Sequence, residues 1–172
     1  MSLKQIRHFI PITLILCAPF FMGFGWVPLR GVSSKGEKVY FGSPPTQNTP
    51  AYQAFLLSPK TESSKLYYLL DRIKGARDLV YIYEGNHYNW MEAYAAACWL
   101  QWHDYKKGES ALSFIRREAL DFETSPAKIQ FTDRSIHLAY HIFINELDWL
   151  ENTIKIDVQA QPTHQNEKAR LP

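Results

Sequence analysis

The chain lacks nearly every short motif by which an enzyme is read from sequence. It has no G-x-S-x-G elbow, no H-E-x-x-H zinc helix, no G-x-x-x-x-G-K-[ST] phosphate loop and no dinucleotide glycine fingerprint. Each of these motifs encodes a backbone turn or ligand spacing its chemistry needs, so their absence removes the commonest catalytic classes. Cysteine is scarce too: Cys17 and Cys98 are the only two, and no C-x-x-C occurs. That excludes a disulfide scaffold and thiol–disulfide exchange. Cys17 lies in an N-terminal apolar run and Cys98 in a predicted helix, so Cys98 is expected to be a buried free thiol acting as a small hydrophobe. A clustered basic face is also missing. Residues 62–157 hold 11 Lys and Arg against 15 Asp and Glu, and the net charge of +2 comes from the two ends. An acidic folded region repels a phosphate backbone, which excludes nucleic acid as a partner.

What the chain does have is apolar material, 46% of its residues, with 15% aromatic, enough for one domain with a core. It begins with Lys4, Arg7 and His8, followed at residues 9–29 by 21 residues without a charge. A basic start before an apolar run is the form of a secretory signal or a membrane anchor. Gly23 and Gly25 offer small residues for cleavage before Trp26, whereas the length of the run suits a span, so both readings stay open. The Leu14-Ile15-Leu16-Cys17 stretch has the outline of a lipoprotein box, without the small residue such boxes place before cysteine. Export is the expectation, to the periplasm or to a membrane held by the N-terminal segment.

Residues 30–60 are rich in Gly, Ser, Thr and Pro and read as a tether, ordered where Tyr40, Phe41, Tyr52 and Phe55 meet the domain. The domain is expected at 61–157. A Ser63 or Ser64 cap opens a helix carrying Leu66, Leu69, Leu70 and Ile73 at helical spacing, and Gly75 stops it. Residues 79–83 have β-branched and aromatic character, and Glu84-Gly85-Asn86 turns the chain into a short hairpin ending at Tyr88. Asn89 and Glu92 form a capping box for a helix with two stripes, Ala93, Ala96, Ala97 and Leu100 on one and Trp90, Tyr94, Cys98 and Trp102 on the other. Apolar on nearly every face, this helix is expected to be buried at the centre, with its alanines admitting a neighbouring helix. Ser110 opens a shorter helix, residues 128–131 alternate as a strand, and residues 132–135 turn and cap a last helix. Its stripe runs through Ile136, Ala139, Tyr140, Phe143, Ile144, Leu147 and Leu150, with Glu146, Asp148 and Glu151 off it. Residues 158–172 read as a polar tail. The expected fold is α+β and predominantly helical, with about four helices around one central apolar helix and one or two short hairpins or strands.

Chemistry has few candidates. His137 and His141, four apart, place two imidazoles on one helix face, and His87, or His103 with Asp104, could add metal ligands. Packing beside the stripe explains the pair as well, and no cofactor is implied. Glu84, Glu92 and Asp104 are the carboxylates to weigh for glycan hydrolysis, although capping already employs Glu92. The aromatic surplus is more informative. Trp99 belongs to neither stripe and, with Tyr83, His87 and Tyr88 of the hairpin, makes the candidate partner-binding set. The partner would be an envelope protein or a second copy.

The order Leu69-Leu70, then Tyr83-x-Gly85-x-x-Tyr88-x-x-x-Glu92-Ala93, then Ser110-Ala111-x-x-Phe114-Ile115 resembles a family of small exported bacterial proteins classed as a domain of unknown function. The resemblance covers roughly residues 66–150, and this chain departs from the family at Ala96-Ala97 and at Thr124-Ser125-Pro126. It implies a signal peptide and an envelope location, and no activity. The functional expectation is thus an exported or membrane-tethered, non-catalytic binding domain, with an envelope hydrolase or metal enzyme as the alternative.

Overall fold

A computed structural model describes residues 30–120 and 125–160. The expected signal or anchor at 1–29, Cys17 and residues 161–172 of the expected 158–172 tail lie outside the described residues, while residues 158–160 of that tail belong to the last helix. Among the described residues no helix is long and apolar enough to cross a membrane. The described residues are α+β, with helix the dominant element, and hold five helices and one four-stranded antiparallel sheet.

The stretch read as a tether is part of the folded unit. α1 (Pro50–Leu56) starts on a proline whose fixed φ suits a first helical turn, and it buries Ala51, Tyr52 and Phe55. Upstream of it Phe41 is 2% exposed. These aromatics carry too much apolar area to stay in water once α2 and α5 offer a surface. α2 (Glu62–Gly75) is capped by Thr61, whose hydroxyl accepts from the Ser64 amide, and buries Leu66, Leu69, Leu70 and Ile73.

β1 (Val80–Tyr83) and β2 (Asn86–Tyr88) form the expected hairpin, with Glu84 at φ 49° and Gly85 at φ 79°. Two left-handed residues in a two-residue loop match the right-handed strand twist. α3 (Trp90–Asp104) follows, with the Asn89–Glu92 capping box complete. α4 (Ala111–Ala119) is capped by Ser110. β3 (Lys128–Gln130) pairs with β1, and β4 (Ile136–Leu138) pairs with β3, giving the order β2-β1-β3-β4. In register, Tyr88, Tyr81, Ile129 and His137 make one row across the sheet, and Ile129 and His137 in that row are buried.

α5 (Ala139–Ala160) packs against α2, α4, β3 and β4. Its buried line is Ala139, Ile142, Glu146, Leu150 and Thr153, turned away from part of the expected stripe, since Tyr140 and Ile144 are only half-buried. One core cluster joins α1, α2, α4 and α5 around Tyr52, Tyr68 and Leu150. The other joins Phe41, the end of α2, the sheet and the start of α5 around Ile129 and Ile142.

Three expectations need correcting here. α3 is not the buried centre: none of its residues is buried, and Trp102 is 80% exposed. Cys98 is free but only half-buried. His137 and His141 do not share a helix face, because the last helix begins at Ala139 and His137 belongs to β4. Strand pairing with β3 captures Ile136, His137 and Leu138, and the helix starts only after that edge is satisfied.

Candidate functional site

The capping box fixes where α3 begins. Asn89 Oδ1 accepts from the Met91 and Glu92 amides at 2.9 and 3.1 Å, and Glu92 Oε2 accepts from the Asn89 amide at 2.8 Å. Its C-terminal end is tied to α4, where Arg117 donates to the Asp104 carbonyl and to Glu109 Oε2, each at 3.0 Å, and pairs with Glu118. Along its side Ala93, Tyr94, Ala97 and Cys98 touch the core, and the Cys98 thiol shares a hydrogen bond with the Tyr94 phenol.

Between these two fixed ends the helix stands off from the sheet and α5. A groove of about 990 Å³ opens there. Its floor is small and apolar, with Ala93, Ala96, Ala97 and Leu100 from α3, Ala127 before β3, and Ala139 and Phe143 from α5. Tyr81, Tyr83 and Tyr88 form the sheet side, and Trp99 stands at the edge, 55% exposed. A smaller void of about 140 Å³ continues under α3 toward Leu69 and Phe114. The larger volume is at the upper end for small-molecule sites, and the predominantly apolar lining with few polar groups is typical of them.

The groove is charged at its ends. Glu92 lies at one end, and Asp104, Arg117 and Glu118 lie at the other. Burial pushes the Glu118 carboxyl up, with Arg117 opposing and Asp104 adding to the rise. Tyr81 is also raised by burial, and its hydroxyl is buried without a hydrogen-bond partner among the described residues.

Of the expected partner-binding residues, Tyr83, Tyr88 and Trp99 come together on this groove, while His87 does not line it. His87 pairs with Ile82, one register position off the row that contains Tyr88 and Tyr81, so it belongs to the other face of the sheet. The residues that sequence reasoning missed are the alanine floor, read as a helix-packing stripe, and the Arg117–Glu118 end. Helical spacing did show that Ala93, Ala96, Ala97 and Leu100 share a side. It could not show that a sheet would face them across a gap.

Catalytic arrangements fare poorly. Glu92 and Asp104 are twelve residues apart on one helix, about 18 Å along its axis, whereas glycosidic carboxylate pairs stand about 5–9.5 Å apart. Glu84 is exposed in the hairpin turn. Among the described residues no group of three or more His, Cys, Asp and Glu is placed to hold a metal ion. His103 lies between Trp99 and Trp102, with ring centroids at 4.5 and 4.6 Å, remote in role from buried His137.

Asp133, Ser135 and His137 do form a chain of contacts, but in the wrong order for nucleophilic catalysis. Ser135 Oγ donates to Asp133 Oδ1 at 2.6 Å and therefore receives from His137 Nε2 at 3.2 Å. A triad histidine takes the serine proton, and here that proton is aimed at the aspartate. His137 Nδ1 is left bare and buried, and burial lowers the imidazole pKa against the weaker pull of Asp133.

Comparison with protein-family models, with curated proteins and with solved structures finds no match.

Proposed function

We propose that this chain is an exported or membrane-tethered domain of the cell envelope that binds rather than catalyses, and that its binding surface is the groove between α3 and the sheet. One observation carries the reading: a fifteen-residue helix, apolar on nearly every side, has no buried residue and lines an open apolar groove. Leaving that much apolar surface in water is costly, at roughly 25 cal/mol per Å². Among the described residues folding recovers it only in part, through Ala93, Tyr94, Ala97, Cys98 and Leu100, so an occupant of the groove would recover more. The charge-free run at 9–29 and the resemblance to small exported proteins support the envelope location. The acidic folded region argues against nucleic acid.

The test is a photo-crosslinking amino acid placed at Ala96 in intact envelope membranes. Adducts at Ala96, with none at Leu57, which is 92% exposed on another part of the surface, support the groove. Equal labelling at both positions sinks it. Ala96→Trp should abolish the adducts formed from a crosslinker at Trp99 by filling the floor, while the folded state persists.

A second reading is favoured by one observation. Asp104 and Glu118 lie at the same end of the groove, and burial raises Glu118, as a general acid requires. That is the form an envelope hydrolase would take here. Glu118→Gln separates the readings, because it would abolish turnover of envelope glycan in a hydrolase and leave groove labelling intact in a binding domain.

A further inference from the structure

The groove and the void below it adjoin, sharing Ile73, Ala97, Leu100, Glu118, Ala127 and Phe143 among their walls. The void, about 140 Å³, is lined by apolar side chains apart from Gln101 and Glu118, and it reaches Leu69 and Phe114, both buried. A void of that order lined by Leu, Ile and Phe stays dry and takes up a benzene-sized apolar group. A helix, about 10 Å across with its side chains, cannot enter it. Whatever fills both spaces is thin and apolar over most of its length, as an alkyl chain is. The small side chains of Ala93, Ala96 and Ala97 leave such a chain room to lie along the floor.

Charge selects the head of that chain. Asp104, Glu109 and Glu118 are all electrostatic neighbours of the Arg117 guanidinium. That guanidinium is already engaged, with Nη2 on the Asp104 carbonyl and Glu109 Oε2 and Nη1 on Glu118. Three carboxylates round one guanidinium leave this end of the groove negative. Lys106 and Lys107 lie past α3 and do not line the groove. Lys128 does, but it pairs with Ile82, as His87 does, so its side chain belongs to the other face of the sheet. From the same C-terminal half of α3 as Asp104, Trp99 brings a half-exposed indole to the groove. An indole beside carboxylates attracts an ammonium group through the ring face and through charge together.

We propose that the groove takes a single-chain amphiphile with a cationic head, an alkylammonium. The ammonium sits among Trp99, Asp104 and Glu118, and the alkyl chain crosses the alanine floor into the void below. The proposal rests on the groove being the binding surface, and it names the chemistry of the occupant.

The experiment uses the full chain in vesicles of digalactosyl diacylglycerol, a neutral lipid without an ammonium group. The probe is dodecyltrimethylammonium carrying a diazirine in its chain, and adducts are mapped by mass spectrometry. They should fall on residues 93–100 of α3 or on Leu69 and Phe114, with none at the exposed Leu57. Unmodified dodecyltrimethylammonium should displace the probe, and dodecanoate at equal content in the vesicles should displace it at least roughly fivefold less well. Asp104→Asn and Trp99→Leu should each weaken labelling roughly fivefold. Ala96→Trp should abolish it. Dodecanoate displacing as well as the cation, or labelling that ignores both Asp104→Asn and Trp99→Leu, overturns the cationic head and leaves the groove reading standing. Adducts spread equally to Leu57 overturn the proposal. So does an unlabelled groove where a crosslinker at Ala96 still captures a protein, which keeps the groove as a binding surface for another class of occupant. An empty result from both probe and crosslinker overturns the proposal and the groove reading together. Unchanged circular dichroism melting of the Asp104 and Trp99 variants verifies that their folds are intact.

Discussion

Glu146 has no exposed surface, and every lone pair it directs inward is met. Oε1 accepts from the Phe41 amide at 2.8 Å and from Arg72 Nη2 at 2.9 Å, and Oε2 accepts from the Tyr68 hydroxyl and Arg72 Nε, each at 2.9 Å. Arg72 Nη2 goes on to the carbonyls of Phe41 and Ser43. Burial still pushes the carboxyl up, with Arg72 pulling the other way. Breaking one half of such a pair strands the other half in apolar surroundings. Arg72→Met should therefore cost about 3–5 kcal/mol by urea denaturation, and adding Glu146→Leu should recover much of it. The sequence placed Glu146 outside the apolar stripe because periodicity treats every charge as outward. Yet Ile142, Glu146 and Leu150 share one spacing of four and are all fully buried. Nothing in the local pattern marks a carboxylate whose partner is 74 residues away.

His137 makes a second residue-scale prediction. Its folded pKa is depressed below 6.5 by burial, and His141 is shifted the same way by burial and by Arg30. A depressed pKa means that the folded state resists the proton the unfolded chain accepts. The stability this contributes is complete above about pH 6.5 and is lost as pH falls through the folded values. Thermal midpoints should drop between pH 7 and 5, and His137→Phe, which keeps a ring beside Phe131, should flatten that slope. An unchanged slope would mean that His137 takes up protons equally in the folded and unfolded states.

At the scale of elements, local chemistry was legible and tertiary placement was not. The Asn89–Glu92 box, the Glu84-Gly85 turn and the Ser110 cap are interactions within four residues, and each was readable from residue types alone. β4 was not, because Ile136, His137 and Leu138 fit a helical stripe as well as a strand, and only the non-local ladder to β3 decides between them. The same limit hid the groove. An apolar helix implies something covers it, and the sequence does not say whether that is the chain or another molecule. The cap can be tested directly. Asn89→Ala should cost about 0.5–2 kcal/mol in thermal or urea unfolding, since two amides lose their acceptor. Trp102→Ser, at a position 80% exposed, should stay within about 0.5 kcal/mol of the parent. A large loss at Trp102 would return α3 to the core.

Across the whole molecule the surprise is how much of the fold residues 31–57 hold together. The Asn145 side chain donates to the carbonyls of Gly31 and Val39 at 2.8 and 2.9 Å, closing one end of the segment onto α5. Glu146 and Arg72 fasten Phe41, and Tyr52 reaches Asp157, which with burial raises its phenol to about 12. Glycine, serine and proline made this stretch look like a linker, but those residues shape turns between aromatic anchors. Asn145 is the residue on which the join depends. Asn145→Leu keeps the volume and removes both bonds, leaving the Val39 carbonyl without this donor and the Gly31 carbonyl with only the Val39 amide, at about 1 kcal/mol for each bond lost. Residues 31–39 should then lift and their backbone gain the freedom a protease needs, so tryptic cleavage at the already exposed Lys35 and Lys38 should outpace the parent while the core around Tyr52 and Leu150 stays protected. Hydrogen exchange would register the same change as faster exchange of the Val39 amide, which now bonds to the Gly31 carbonyl at 2.9 Å. If the segment instead follows global unfolding, cleavage and exchange at these positions will track the core, and its attachment must rest mainly on Phe41 and the Arg72–Glu146 pair.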